Sequence, residues 1–94
     1  MLENILLLES VKTDLRINHN KLDEDILENI RAAKLDMRRL GVKSELNNDL
    51  IKKAIKLYIR WQYNFENQAD RYMKAYQDLI LVMSMAKDYK DKEV

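Results

Sequence analysis

The chain has 94 residues, which is enough for one small domain and too few for two. It contains no cysteine and one histidine, His19, so disulfides, thiolate metal sites and histidine-rich metal sites are excluded. A formal net charge of +1 excludes a global basic field that would capture DNA, so any contact with nucleic acid must be local.

The composition indicates an all-α protein. There is no proline and only one glycine, and a strand-rich fold needs more turn residues than that. Hydrophobic residues make up 47% of the chain and charged residues 35%, a mixture typical of amphipathic helices. Since a chain of this size buries a modest share of its surface, oligomerisation is the remaining way to stabilise it. We predict a small bundle of four to five helices.

The first predicted helix covers roughly residues 4–16, where Leu8, Val11 and Leu15 recur at helical spacing. The N-terminal run "MLENILLLES" is too short, and too poor in flanking basic residues, for a secretion signal or a membrane span. We therefore expect a soluble protein, cytoplasmic where it is made, with no membrane contact.

The second predicted helix covers about residues 21–40, with one apolar stripe from Leu22 to Leu40. Asn20 is its predicted N-cap and Gly41 its predicted left-handed C-cap. Acidic residues crowd its first turns and basic residues its second half, which complements the helix dipole. We interpret the acidic cluster as a solvated face rather than a metal site, and we expect neither a metal nor a cofactor.

The third predicted helix begins at residue 48 or 49 and runs to about 63. The fourth begins at residue 66 or 67 and runs to about 86. Residues 88–94, within the charged and non-periodic "KDYKDKEV", are predicted to form a flexible tail of this single domain.

One stretch, "LYIRWQYNF" at 57–65, combines aromatic and basic side chains and allows two interpretations. It is either a platform on which bases stack or a half-buried helix. On a helical wheel, at about 100° per residue, the aromatic and basic side chains lie on opposite arcs, which favours the helix. The predicted core anchors of the third and fourth helices are Tyr58, Trp61, Phe65, Tyr72 and Tyr76.

The basic arc of the third helix contains Lys52, Lys56 and Arg60 at positions i, i+4 and i+8, with no acidic residue between them. A solvated face is one interpretation of this arc. The other is an electrostatic contact with a phosphate backbone, without recognition of bases. The three residues are therefore candidates for a non-specific contact with DNA.

The fourth helix has a surplus of apolar residues. "LILVM" at 79–83 is apolar on every side, and a helix of that kind is buried on more than one side. Leu81, Val82 and Met85 lie outside the core stripe and are the candidate subunit interface, together with Leu27 and Leu35 on the second helix. Self-association is the favoured explanation, and loose burial within the monomer is the alternative.

No enzyme signature is present: the chain lacks a glycine-rich phosphate loop, a nucleophile elbow and a paired-histidine metal motif. A helix-turn-helix is one interpretation of "MRRLGVKSELNNDLIKKAI". Asn47 argues against it, because the second helix of such a motif points an apolar residue inward there. A small helical DNA-binding regulator remains the alternative function.

The order of these features resembles a known family. The matching stretches are "LLLESVKTDLRI", "LDEDILENIRAA", the break "LGV", "LIKKAIKLYIRWQYNF" and "ADRYMKAYQDLILVMSM", which together span roughly residues 6–89. The chain resembles the small all-helical head–tail connector proteins of tailed bacteriophages, also known as head-completion, adaptor or DNA-packaging proteins.

The resemblance implies a structural virion protein and not an enzyme. Such proteins form a closed ring, here expected to hold about twelve copies, that docks under the portal protein after genome packaging. The ring extends the DNA channel and offers a platform to tail or further head-completion proteins. We expect the protein at the head–tail junction of the virion, and in the host cytoplasm during assembly.

Overall fold

The computed structural model describes residues 2–44 and 48–89. These residues form four α-helices and one 3-10 turn, and they contain no extended strand. The elements are α1 (Leu2–Asp14), α2 (Asp23–Arg39), α3 (Asp49–Gln62), the 3-10 turn (Phe65–Asn67) and α4 (Ala69–Met85). The predicted all-α bundle is confirmed. No helix in the described ranges is long and apolar enough to cross a membrane.

The helices pack around one core. α1 runs antiparallel to α2, because Lys34 Nζ donates to Asn4 Oδ1 (2.8 Å) at one end and Lys12 pairs with Asp23 (2.9 Å) at the other. α3 lies between α2 and α4, and its packing against α4 is the most extensive of the helix pairings. The side chains below 2% exposure include Val11, Ile26, Ile30, Met37, Val42, Ile51, Ile55, Ile59, Tyr76 and Met83.

The C-terminal cap of α2 follows the predicted pattern. Gly41 has φ 89°, which costs a glycine little because it has no Cβ. Its N–H bonds to Arg38 O (3.1 Å), and the Val42 N–H bonds to Met37 O (2.9 Å). This pair of bonds is the Schellman motif, and the buried Val42 and Met37 side chains give it the usual apolar contact.

The N-terminal cap of α2 corrects the sequence prediction. The residue in the N-cap position is Leu22, which makes no side-chain cap bond. Asn20 is wrong as the N-cap, because its Oδ1 accepts a hydrogen bond from Lys12 Nζ (2.7 Å). Lys12 is 7% exposed, so its ammonium group is held by Asn20 and the Asp23 carboxylate and anchors the α1–α2 connection.

α1 ends in the same motif as α2 but without a glycine. Arg16 has φ 61°, its N–H bonds to Thr13 O (3.1 Å), and the Ile17 N–H bonds to Lys12 O (2.8 Å). A residue with a Cβ is strained in this left-handed conformation by roughly 1–2 kcal/mol.

We expect Arg16→Gly to raise the free energy of unfolding by about 1 kcal/mol, because glycine relieves that strain. Urea denaturation followed by circular dichroism measures the change. Arg16→Ala is the matched control, since it removes the same exposed side chain but keeps the Cβ. An equal gain from both substitutions would show that the side chain, and not the backbone, is responsible.

The chain remains packed against the domain as far as Tyr89. The Lys43 N–H donates to Tyr89 O (2.8 Å), and the half-buried Tyr89 ring packs against the core. Tyr89 falls inside the segment 88–94 for which a flexible tail is predicted. The rest of that segment, residues 90–94, lies outside the described residues.

Candidate functional site

The structure leaves the apolar surplus of α4 uncovered. The helix buries Tyr72, Tyr76, Ile80 and Met83 against the core. Its opposite side carries Leu81, Val82 and Met85, which are 61%, 64% and 76% exposed and are here called the α4 apolar stripe. The monomer does not bury this stripe, so loose burial within one copy does not explain it.

The two interface candidates on α2 differ from each other. Leu35 is 66% exposed and faces away from the core. Leu27 is half-buried and packs against the core cluster, so most of its apolar surface is already used within the monomer.

A shallow groove borders the α4 apolar stripe on the side of α2. Its volume is about 410 Å³, and its apolar lining includes Leu40, Trp61, Ile80 and Leu81. Leu40 was predicted as the last residue of the apolar stripe of α2, but it is not buried. Leu40 is the C-cap residue, where the chain turns away from the helix axis, and it is 41% exposed.

The predicted core anchors divide into two groups. Tyr72 and Tyr76 are buried, as predicted, whereas Tyr58, Trp61 and Phe65 are half-buried and pack on the outside of the core cluster. Ile59 is fully buried. The residues of α3 that face the core are Ile51, Ala54, Ile55 and Ile59. The aromatic side chains therefore lie at the edge of the buried face and not at its centre.

The aromatic residues form a cluster that joins α3 to α4. The Tyr58 ring centroid lies 5.6 Å from that of Trp61 and 5.4 Å from that of Tyr76, both in edge-on arrangements. The Tyr76 hydroxyl donates to Asp36 Oδ2 (2.7 Å), which ties α4 to α2. Burial, and then the hydrogen bond to Asp36, raise the pKa of Tyr76, so this hydroxyl remains a neutral donor. The rings of Tyr58, Trp61 and Tyr76 thus pack on one another within the monomer.

The basic side of α3 lines a second groove, of about 380 Å³. The groove contains the cations Lys52, Lys53, Lys56 and Arg60 and the carboxylates Asp14 and Asp49. Cations are in excess, so the groove attracts anions. The two carboxylates come from outside residues 52–60, where the sequence has no acidic residue.

Arg60 is the cation of this groove that pairs with a carboxylate from another helix. Its Nε donates to Asp14 Oδ2 (2.7 Å) and its Nη2 donates to Asp14 Oδ1, which gives a bidentate ion pair with α1. The guanidinium carbon also lies 5.3 Å from the Tyr72 ring centroid and 5.8 Å from that of Phe65. The hydrogen bond to Asp14 raises the pKa of Arg60. Arg60 therefore joins α1, α3 and α4, and the Asp14 carboxylate compensates its charge within the monomer.

The lysines of this groove differ from Arg60. Among the residues that the structure describes, no carboxylate lies within ion-pair distance of Lys52, Lys53 or Lys56. Lys53 is exposed, and the other two are half-buried, with Lys56 one helical turn after Lys52. The candidates for phosphate contact are thus Lys52 and Lys56, with Lys53 beside them.

The connection between α2 and α3 does not fit a helix-turn-helix. α2 ends at Arg39 and α3 begins at Asp49, whereas the turn of that motif has about three to four residues. Within residues 2–44 and 48–89, no group of three His, Cys, Asp or Glu side chains could hold a metal ion.

An uncovered apolar helix side on a small helical domain is typical of a surface that contacts another protein. The family model described as phage connector protein matches residues 7–90, and the chain belongs to that family. Neither a curated protein nor a solved structure matches the chain. Family membership supports a structural, connector-type role and not an enzymatic one, and it suggests a place in the virion beside other phage head or tail proteins.

Proposed function

We propose that this protein is a head–tail connector subunit that forms a closed ring under the portal, extends the DNA channel and provides the docking platform for tail or further head-completion proteins. It folds in the host cytoplasm and acts at the head–tail junction. Its function is geometric: copies pack side by side, and the closed symmetry sets the width of the channel.

The observation that supports ring formation most strongly is the α4 apolar stripe. Three large apolar side chains, each more than 60% exposed, lie on one helix of a domain whose core is already filled. Burying apolar surface away from water is favourable by about 25 cal/mol for each Å². Contact with another subunit would bury this stripe and is therefore favoured. The family match over residues 7–90 supports the same assignment independently.

The lysine groove suits a channel wall. Lys52, Lys53 and Lys56 carry positive charge without a side chain arranged to recognise a base edge. In one copy they bind DNA weakly, but repeated around a ring they form a positive lining that contacts phosphates of any sequence.

A deletion of the gene tests the proposed function in the phage. We expect the mutant to accumulate DNA-filled or leaky heads without tails, because the platform for tail attachment is missing. Electron microscopy of the lysate counts these particles, and expression of the intact chain from a plasmid should restore complete virions. Complete virions from the deletion mutant without the plasmid would contradict the proposal.

The lysine groove is tested by charge reversal. We expect Lys52→Glu with Lys56→Glu to increase leakage of DNA from filled heads severalfold, because two phosphate contacts in each subunit become repulsive. A nuclease-protection assay on purified heads measures the leakage.

The matched control is Lys21→Glu with Lys87→Glu, which makes the same change of charge at two exposed positions outside the groove. Equal leakage from both double variants would show that the groove lysines form only a solvated face.

A further inference from the structure

We propose that the ring closes by packing the outer face of α4 in one copy against the outer face of α2 in the next, with the two helices parallel. This inference rests on the proposed ring and names the two surfaces that form its subunit interface. The surfaces are different, so each copy offers one to each neighbour, and the contact extends around a ring instead of ending at a dimer.

Each outer face is one row of exposed side chains on the side opposite the core. The α2 outer face has the spacing i, i+3, i+7, i+10 and consists of Glu28, Arg31, Leu35 and Arg38. The α4 outer face has the spacing i, i+4, i+8, i+11 and consists of Lys74, Asp78, Val82 and Met85. Residues at such spacings lie above one another on a helix, so each row forms a continuous strip.

The parallel direction follows from the path of the helices in one copy. Tyr76 of α4 bonds to Asp36 of α2, and further along both helices Ser84 and Leu40 line the same groove. The two helices therefore advance in the same direction. Rotation about a ring axis near that direction keeps α4 of one copy parallel to α2 of its neighbour.

Charge complementarity sets the register. When Leu35 of one copy lies opposite Val82 of the next, one helical turn earlier places Arg31 opposite Asp78. Arg31 is exposed and makes no ion pair with a described carboxylate, and Asp78 is 67% exposed with only a 3.7 Å contact to Lys74. Both are therefore available to an opposite charge on a neighbouring copy.

A second pair decides between the two possible directions. In the parallel register the next turn places Glu28 opposite Lys74, which makes two pairs of opposite charge on the same strip. The antiparallel register around the same apolar contact gives a single such pair, Arg38 with Asp78. The parallel arrangement is therefore the more complementary one.

Cysteine cross-linking tests which faces meet, and the natural chain contains no cysteine that would interfere. We expect the double variant Leu35→Cys with Val82→Cys, treated with a short bismaleimide at concentrations where the protein assembles, to give a ladder of dimers, trimers and larger species. Each single variant should remain monomeric on a denaturing gel, since the interface pairs residue 35 with residue 82. Dimers from Val82→Cys alone would overturn the assignment.

Charge exchange tests the register. Arg31→Glu and Asp78→Arg should each raise the protein concentration needed for half-assembly by about tenfold or more, because like charges then face each other. The double variant carrying both substitutions should assemble as the natural chain does. Rescue of Asp78→Arg by Arg38→Glu, and not by Arg31→Glu, would overturn the parallel register in favour of the antiparallel one.

The outcomes separate this inference from the proposed function. If light scattering detects assemblies of more than two copies but the double-cysteine variant gives no ladder, the ring is retained and the α2–α4 interface is wrong. If the chain stays monomeric both in solution and on portal-bearing heads, the proposed ring fails and this inference fails with it.

Discussion

Substitution of Val82→Lys together with Met85→Lys is expected to abolish assembly while leaving the monomer folded. Both side chains are more than 60% exposed in one copy, so the change costs the monomer about 0.5 kcal/mol or less. In a subunit contact the two ammonium groups would lose water without gaining a partner, a cost of several kcal/mol for each charge. Two extra lysines near the C-terminus of α4 also suit its helix dipole.

Light scattering gives the assembly state and circular dichroism the fold, and both are measured at the same protein concentration. Thr13→Lys with Gln62→Lys is the matched control, because it adds the same charge at two exposed positions on α1 and α3. Normal assembly of the Val82→Lys and Met85→Lys double variant would remove the α4 apolar stripe from the interface. Loss of assembly in both double variants would show that net charge, and not position, is responsible.

Removal of the Asp14 carboxylate is expected to destabilise the monomer measurably. Asp14→Ala leaves the Arg60 guanidinium, 28% exposed, without its bidentate partner, and we expect the free energy of unfolding to fall by about 2 kcal/mol. Urea denaturation of the monomer measures the loss. The pair also links α1 to α3, so fraying of α1 should accompany it and be detectable by hydrogen exchange.

Asp78→Ala serves as the matched control for this prediction. It removes a carboxylate from the Lys74–Asp78 pair, whose side chains are 78% and 67% exposed, and should cost about 0.5 kcal/mol or less. Arg60→Met added to Asp14→Ala should recover part of the loss, because the unpaired, half-buried charge is then gone while contact with the Tyr72 and Phe65 rings remains. Equal losses from Asp14→Ala and Asp78→Ala would contradict the structural role given to Arg60.

The helices could be predicted from the sequence because their determinants are local. Apolar residues at helical spacing fixed all four elements to within about three residues at each end. The C-cap at Gly41 was predicted correctly, because it depends on one glycine in the left-handed conformation directly after the last apolar residue of the helix. The Asn48 side chain accepts a hydrogen bond from the Ile51 N–H (3.1 Å), again a contact within one turn.

The errors arose where a distant residue intervened. Asn20 was predicted to cap α2, but its side-chain oxygen accepts a hydrogen bond from the buried Lys12 of the preceding helix. Arg60 was a candidate for contact with DNA, and nothing near it in sequence indicated its ion pair with Asp14, which lies 46 residues away. Helical periodicity contains no information about which helix will supply a partner, so contacts of this kind require the fold.

One part of the candidate interface could be predicted from the sequence, and the other part required the fold. The surplus of apolar residues in "LILVM" was visible in the sequence, and the structure places Leu81 and Val82 on the exposed side of α4. Of the α2 outer face, the sequence indicated only Leu35 as a candidate interface residue. Its charged residues can be paired with those of α4 only when the direction of α2 relative to α4 is known.

Cryo-electron microscopy of portal-bearing heads incubated with the purified protein shows whether the chain assembles as a ring at the portal. We expect a single closed ring below the portal, with α4 of each copy packed against α2 of the next and the lysine groove accessible from the channel. Heads that bind no ring, together with a chain that binds specific DNA sequences as a compact dimer, would contradict it.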